Sequence, residues 1–331
     1  MSQVNVALLG CGGMGGGLIR AAAELDLGHV VCVADPNTER AAALATELGC
    51  EHYAEAAEAL ARPDVDAVFI AAPNFLHPPL TIQAAEAGKH IFCEKPMALH
   101  AADARAMIEA ARSAGVKLMI GQVLRYIPPY SWMLDLARSG KLGRPFCAQI
   151  TRIGGLWATS PWRQQAELVG GGLFEISAHE IDFLRVFLGG NATRVYARMG
   201  RYVVPEIDYE DTVHVLLDFE NGTQGCLFGG QSAFLGSYDG KLLLTEGTIY
   251  FDSKTGEVNY ARRDEEPVKL TYEETGAGYE PGVRREVREF LEAVAQDTPV
   301  TIPGEEGLQN TMVAEAARLS SDRGAPVDLP Y

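Results

Sequence analysis

Glu175, His179 and Asp182 stand at i, i+4 and i+7, a spacing that puts all three on one face of a helix. A carboxylate one turn from an imidazole orients it and raises its basicity, which suits a general base that takes a hydroxyl proton. The same spacing is also that of an amphipathic helix with an ordinary polar pair. Lys95 lies between an apolar run and Pro96, so it is biased away from helix and can aim a cation beyond a strand end. A lone lysine at such a place is also the usual solvated charge. Gly10, Gly12 and Gly15 fall at G-x-G-x-x-G spacing, where the backbone turns sharply and a pyrophosphate can approach the main chain. Gly13 and Met14 lie inside that turn, whose helix start offers N–H groups to an anion. Asp35 follows 20 residues after Gly15, at the end of a second apolar run, where a carboxylate can accept hydrogen bonds from an adenosine ribose.

These residues need a scaffold, and the apolar periodicity supplies one. Val4–Leu9, His29–Ala34, Val65–Ala71, His90–Cys93 and Val116–Ile120 read as buried strands, with helical patterns between them. Strands alternating with helices imply a parallel sheet with right-handed crossovers, so residues 1–121 are expected to form a doubly wound Rossmann domain. Ligands of such sheets bind beyond the carboxyl ends of the strands, which brings Gly10–Gly15, Pro73-Asn74 and Glu94-Lys95-Pro96 to one edge. From Phe146 the rhythm changes to consecutive strand-like runs joined by short turns. Residues 122–331 are therefore expected to form an α+β domain on a large, mainly antiparallel open sheet. Candidate strands are Phe146–Ile153, Val195–Met199, Thr212–Phe219, Thr223–Phe228, Lys241–Thr245, Thr248–Phe251 and Val258–Arg262. Asn221-Gly222 predicts a type I′ hairpin. One long helix is expected after Gly170-Gly171-Gly172, running to about Leu188, and the tail is helical over Gly282–Ala295 and Glu305–Ser320.

Composition narrows the functional classes. Apolar residues at 47% and charged residues at 22% are the profile of a soluble globular protein of two domains. A net charge of −16 repels phosphate backbones and anionic lipid, so nucleic acid and membrane surfaces are poor partners. No run of 18 apolar residues and no basic leader region is present, and the six cysteines lack C-x-x-C spacing, so a reduced, cytoplasmic protein is expected. The seven histidines lack paired metal-ligand spacing, and no metal is expected. Arg125 and Tyr126 after the last Rossmann strand, and Trp157, Trp162 and Arg163 before the glycine run, are candidates to meet sugar rings and hydroxyls; each is equally a core or interface residue. Asp182 joins the substrate candidates.

Ala72-Pro73-Asn74 with His77, then Ala87-Gly88-Lys89-His90 running into Cys93-Glu94-Lys95-Pro96, resemble the Gfo/Idh/MocA family, which includes glucose-fructose oxidoreductase and inositol dehydrogenase. Gly170-Gly171-Gly172 with His179 and Asp182 is similar to that family's second motif, and so is the ending, from Glu306-Gly307 through Ala325-Pro326-Val327-Asp328. The resemblance implies a nicotinamide dinucleotide at Gly10–Gly15 and Asp35, with Pro73, Asn74, His77, Glu94 and Lys95 beside it. It carries Lys95 over as the catalytic lysine and His179 as the general acid/base, acting on a sugar, inositol or related polyol, in a homodimer or homotetramer. Many relatives have aspartate four residues before the histidine. Here Glu175 stands there, one methylene longer, with Ser177 where glycine is frequent, and the catalytic role of Glu175 stays open. The acid at Asp35 would repel a 2′-phosphate, which favours NAD over NADP. The alternative is a regulatory protein that senses the dinucleotide without turnover; the presence of both Lys95 and His179 argues against it, since a sensor needs no proton-transfer pair.

Overall fold

The computed structural model describes residues 3–330, and the chain divides into two compact units. The first comprises residues 1–123 and 280–308, the second 124–279 and 309–331. This division differs from the single boundary expected at residue 121, because residues 280–308 return to the first unit. The helix Gly282–Ala295 returns because its buried face, Val287, Phe290, Leu291 and Ala293, belongs to the first core. Phe290 packs edge-on against Phe69 and Phe92, with ring centroids 5.5 and 5.7 Å away.

In the first unit β1 (Val4–Leu9), β2 (Gly28–Ala34), β3 (Glu51–Tyr53), β4 (Ala67–Ile70), β5 (His90–Glu94) and β6 (Leu118–Gly121) form one sheet in the order β3-β2-β1-β4-β5-β6. Every pairing is parallel, as the strand–helix alternation requires. Order reverses beside β1, so the crevice at the carboxyl ends of β1 and β4 is the topological switch point where such sheets take ligands. β3 is short and largely exposed, and its three residues carry too little periodicity to be read from sequence.

The second unit holds β7 (Pro145–Ile153), β8 (Ala192–Gly200), β9 (Thr212–Phe219), β10 (Gln224–Gly230), β11 (Ser237–Leu244), β12 (Gly247–Asp252), β13 (Glu257–Arg262), β14 (Val268–Thr271) and β15 (Val327–Asp328). The order is β14-β13-β12-β11-β7-β10-β9-β8-β15, antiparallel except where β10 runs parallel to β7. The expected open antiparallel sheet is therefore present, extended by β14 and β15 at its two edges. Residues alternate between the two faces. On β9, Val213, Val215, Leu217 and Phe219 are buried, whereas Leu216 is 53% exposed.

Two local expectations fail. The hairpin at Asn221-Gly222 is not type I′, because Gly222 takes a positive φ of 81° and Asn221 does not. The Gly222 N–H donates to the Phe219 carbonyl (2.9 Å), which closes a three-residue loop with its glycine in the left-handed position. The Asn221 side chain instead donates to the Leu188 and Gly189 carbonyls, and so caps the end of a helix. The long helix from Gly172 is also two helices, Gly172–Glu175 and Ala178–Leu188, separated at Ile176-Ser177. Glu175 and His179 therefore do not share the face of one continuous helix.

Candidate active site

In the cofactor unit the glycine turn is built by close approach. Gly10 has φ of 101°, and a Cβ there would stand 2.7 Å from the Ala71 carbonyl oxygen; at Gly15 it would collide with the Gly10 carbonyl. Only glycine fits either place. The helix Gly13–Ala23 starts from Gly12 without a side-chain cap, so its first N–H groups face the crevice and Met14 stands partly exposed beside them. Asp35 is buried, and one oxygen accepts the Cys11 N–H and the other the Asn37 N–H, both at 2.8 Å. Arg40 lies 3.5 Å from the same carboxylate. Asp35 thus ties the turn to the end of β2 and presents a fixed charge there. These groups fit a pyrophosphate and a ribose hydroxyl.

Pro73 caps a short 3₁₀ turn that begins at buried Asn74. His77 is buried, and its ring nitrogens lie 2.8 Å from the Pro96 carbonyl and 2.9 Å from that of Ala72. The ring therefore stitches the loop after β4 to the loop after β5, a supporting place rather than a crevice-lining one. Glu94 is also buried beneath its loop, where Oε2 accepts the Lys95 N–H at 3.1 Å. Burial pushes the Glu94 carboxyl up to about 7, although the charge of Lys95 and that N–H both pull it down. Lys95 itself is half-buried at the strand end.

In the second unit, every residue from Val169 to Arg185 is buried except His179, which is half-buried near the start of its helix. Glu175 is buried, and its Oε1 accepts from Arg163 Nε at 2.7 Å and Trp157 Nε1 at 3.4 Å. The Arg163 guanidinium also lies over the Trp162 ring (4.8 Å) and near the Trp157 ring (5.9 Å). Glu175 therefore gathers the loop residues singled out as sugar-facing candidates. Trp162 is in part a core residue, packed against Ala158, Val169, Val204, Ile207 and Tyr209. Asp182 is fully buried, with both oxygens held by the Arg125 fork (2.7 and 2.6 Å) and a further bond from Asn310 Nδ2 (2.9 Å). Asp182 accordingly anchors Arg125 and is itself closed to a ligand. Tyr126 is buried as well.

Sequence reasoning missed a second acid in this helix. Glu180 is fully buried, bonded to Arg152 Nη1 (3.0 Å) and the Tyr238 hydroxyl (2.8 Å). Arg152 Nη1 also donates to the Ile176 carbonyl (2.9 Å), so this pair spans the break that precedes His179. No spacing announces it, because β7 and the helix are brought together only by packing. Among the described residues, no cluster of three or more His, Cys, Asp or Glu could hold a metal ion, and no helix is long and apolar enough to cross a membrane.

Two family models match this chain, an oxidoreductase NAD-binding Rossmann fold over residues 4–122 and a GFO/IDH/MocA C-terminal domain over residues 130–250. The chain belongs to the Gfo/Idh/MocA family. Within it, the scyllo-inositol 2-dehydrogenase (NAD(+)) of Bacillus subtilis (strain 168) is 30% identical over 75% of this chain and 73% of its own. The myo-inositol 2-dehydrogenase of Thermotoga maritima is 26% identical over 98% of both chains. Among solved structures, levoglucosan dehydrogenase in complex with NADH and levoglucosan superposes with a TM-score of 0.88 at 26% identity, covering 100% of each chain. As a Gfo/Idh/MocA member the protein is an NAD-binding oxidoreductase, and the glycine turn with Asp35 is where its sequence and geometry fit that cofactor.

Proposed function

We propose that this oxidoreductase is a dehydrogenase of a sugar, inositol or related polyol, with His179 as the general acid/base and Lys95 as the cation at the reacting oxygen. The observation that carries it is that His179 alone, among the residues from Val169 to Arg185, is not fully buried. A core histidine would be covered, and a solvated one would have exposed neighbours. A bound nicotinamide would supply the acceptor or donor of the hydride exchanged with a carbinol carbon. His179 takes the hydroxyl proton in the oxidising direction and gives it back in reduction, while Lys95 holds that oxygen. The Glu175–Arg163 pair with Trp157 and Trp162 supplies an aromatic and hydrogen-bonding wall suited to a polyhydroxylated ring. Asp35 favours NAD over NADP, although Arg40 beside it softens the repulsion of a 2′-phosphate.

The sheet face of the second unit that carries Leu216 also carries half-buried Cys147, Tyr196 and Cys226, which line a shallow cavity, and supports a homodimer or homotetramer through that face. The acidic surface supports a cytoplasmic protein without nucleic-acid or membrane partners.

The test is a screen of myo-inositol, scyllo-inositol and levoglucosan with NAD, read as NADH absorbance. Lys95→Ala and His179→Ala should each lower turnover by about 10²–10⁴ with NADH affinity nearly unchanged, and the double variant should be little worse than either. Activity should rise with pH as the imidazole becomes neutral. Full activity in His179→Ala would overturn the assignment.

A further inference from the structure

The helix Gly282–Ala295 buries an acid that the proposed chemistry does not use. Glu286 is 0% exposed, on the same apolar face as Val287, Phe290 and Leu291. Its neighbour is set by two parallel rows of side chains. Phe92 and Glu94 point to the same face of β5, being two residues apart, and Phe290 packs on Phe92. One helical turn from Phe290 stands Glu286, whose carboxyl is raised first by burial and then by the charge of Glu94, ahead of that of Glu289. Opposite Glu94 on β6 lies Gly121, where a Cβ would stand 3.0 Å from Glu94 Oε1, so the glycine leaves room for the carboxyl. Three oxygens in this place, Glu94 Oε1 and both of Glu286, have no hydrogen-bond donor among the described residues. Two ionised carboxylates are acceptors only and cannot satisfy one another. One proton between them supplies the missing donor and removes one of two buried charges.

We propose that Glu286 is a positioning residue that shares a single proton with Glu94, and that this pair holds the loop of Lys95 by keeping Glu94 Oε2 on the Lys95 N–H. The proposal rests on the reading of Lys95 as the cation at the reacting oxygen. The charged neighbours are Lys95, whose cation favours an ionised Glu94, and Glu289 on the same helix, whose charge adds to the repulsion at Glu286. Burial raises both carboxyls, Glu94 to about 7 and Glu286 well above its ordinary value. As pH rises, loss of the shared proton leaves two like charges in one buried space, and Glu94 is driven off the amide it holds.

Amide hydrogen exchange at Lys95 and thermal unfolding, both from pH 5 to 9 on the full chain without substrate, test the pair independently of catalysis. In the wild type the protection of the Lys95 amide should fall with rising pH. Glu286→Gln, whose amide replaces the proton with a fixed donor, should keep the protection and flatten its pH dependence. Glu286→Ala should lose protection about tenfold, and turnover of whichever polyol is oxidised should fall about tenfold with the KM for NAD unchanged and rescue by glutamine. Identical pH dependence in wild type and Glu286→Gln would overturn the shared proton, and unchanged Lys95 protection in Glu286→Ala would overturn the positioning. If Glu286→Ala fails to fold, the glutamine comparison alone decides. Lys95→Ala, run alongside, separates the readings: full turnover in it would remove the catalytic role of Lys95 and leave the exchange result standing.

Discussion

The buried acids flanking His179 in the second unit and the buried Glu94 and Glu286 of the first are held in opposite ways. In the second, each buried acid of the His179 region has a guanidinium partner: Asp182 with Arg125, Glu180 with Arg152, Glu175 with Arg163. Asp211 in that unit is held differently but to the same effect. Burial pushes its carboxyl up, yet the Val203, Val204 and Tyr202 N–H groups and the Thr212 hydroxyl outweigh that and leave it below its ordinary value. In the first unit neither Glu94 nor Glu286 is bonded to a guanidinium among the described residues, and burial raises both. A buried carboxylate persists as an ion where donors surround it and takes up a proton where they do not. In the second unit guanidinium partners supply donors to the buried carboxylates, whereas in the first burial pushes Glu94, next to Lys95 in the chain, up to about 7.

Asp182→Ala strands the largely buried Arg125 without its carboxylate and should cost about 3–5 kcal/mol in denaturant unfolding, whereas a loss below about 1 kcal/mol would show the pair to be replaceable by water. A smaller effect separates the units by pH. Glu94 keeps its proton in the folded protein up to about 7, while the unfolded chain releases it near 4.5, so the folded state binds more protons in that interval. Stability should therefore fall by about 1–3 kcal/mol as pH rises from 4.5 through 7, a slope that Glu286→Gln reduces. Asp211 acts with the other sign: its contribution is complete above the ordinary aspartate range and lost as pH falls through its lowered value, so Asp211→Asn should flatten the acid limb only. Within the second unit, Glu175→Gln weakens the hold on Arg163 by about 1.5 kcal/mol, seen as a roughly tenfold rise in polyol KM with NADH affinity unchanged. At the small end, Arg194 and Asp328 form a 2.6 Å ion pair with both side chains more than half exposed, and Arg194→Met should leave the melting temperature within measurement error. That result would attribute the larger effects to burial rather than to pairing as such.

Much of this molecule was legible from local pattern. The parallel sheet follows from apolar runs alternating with helices, and the glycine turn from Gly10 and Gly15, where any side chain meets backbone. The place of Asp35 and Lys95 at strand ends was legible because a doubly wound sheet brings its strand ends to one edge whatever the details of packing. Such features depend on backbone sterics and on periods of two or 3.6 residues, which are properties of short stretches. What the sequence could not decide was who partners whom. Glu175 and His179 looked like one helical face, but the backbone breaks between them and Glu175 turns to Arg163. Asp182 looked open to substrate until Arg125, 57 positions away, and Asn310, 128 away, closed on it. Glu286 offered a trace in advance, an acid at an apolar position of a helix, but the helix could be placed in the first unit only by its packing on Phe69 and Phe92. Spacing along the chain dictates which direction a side chain takes; the charge, donor or ring it then meets comes from distant segments and is settled by the packing of the whole core.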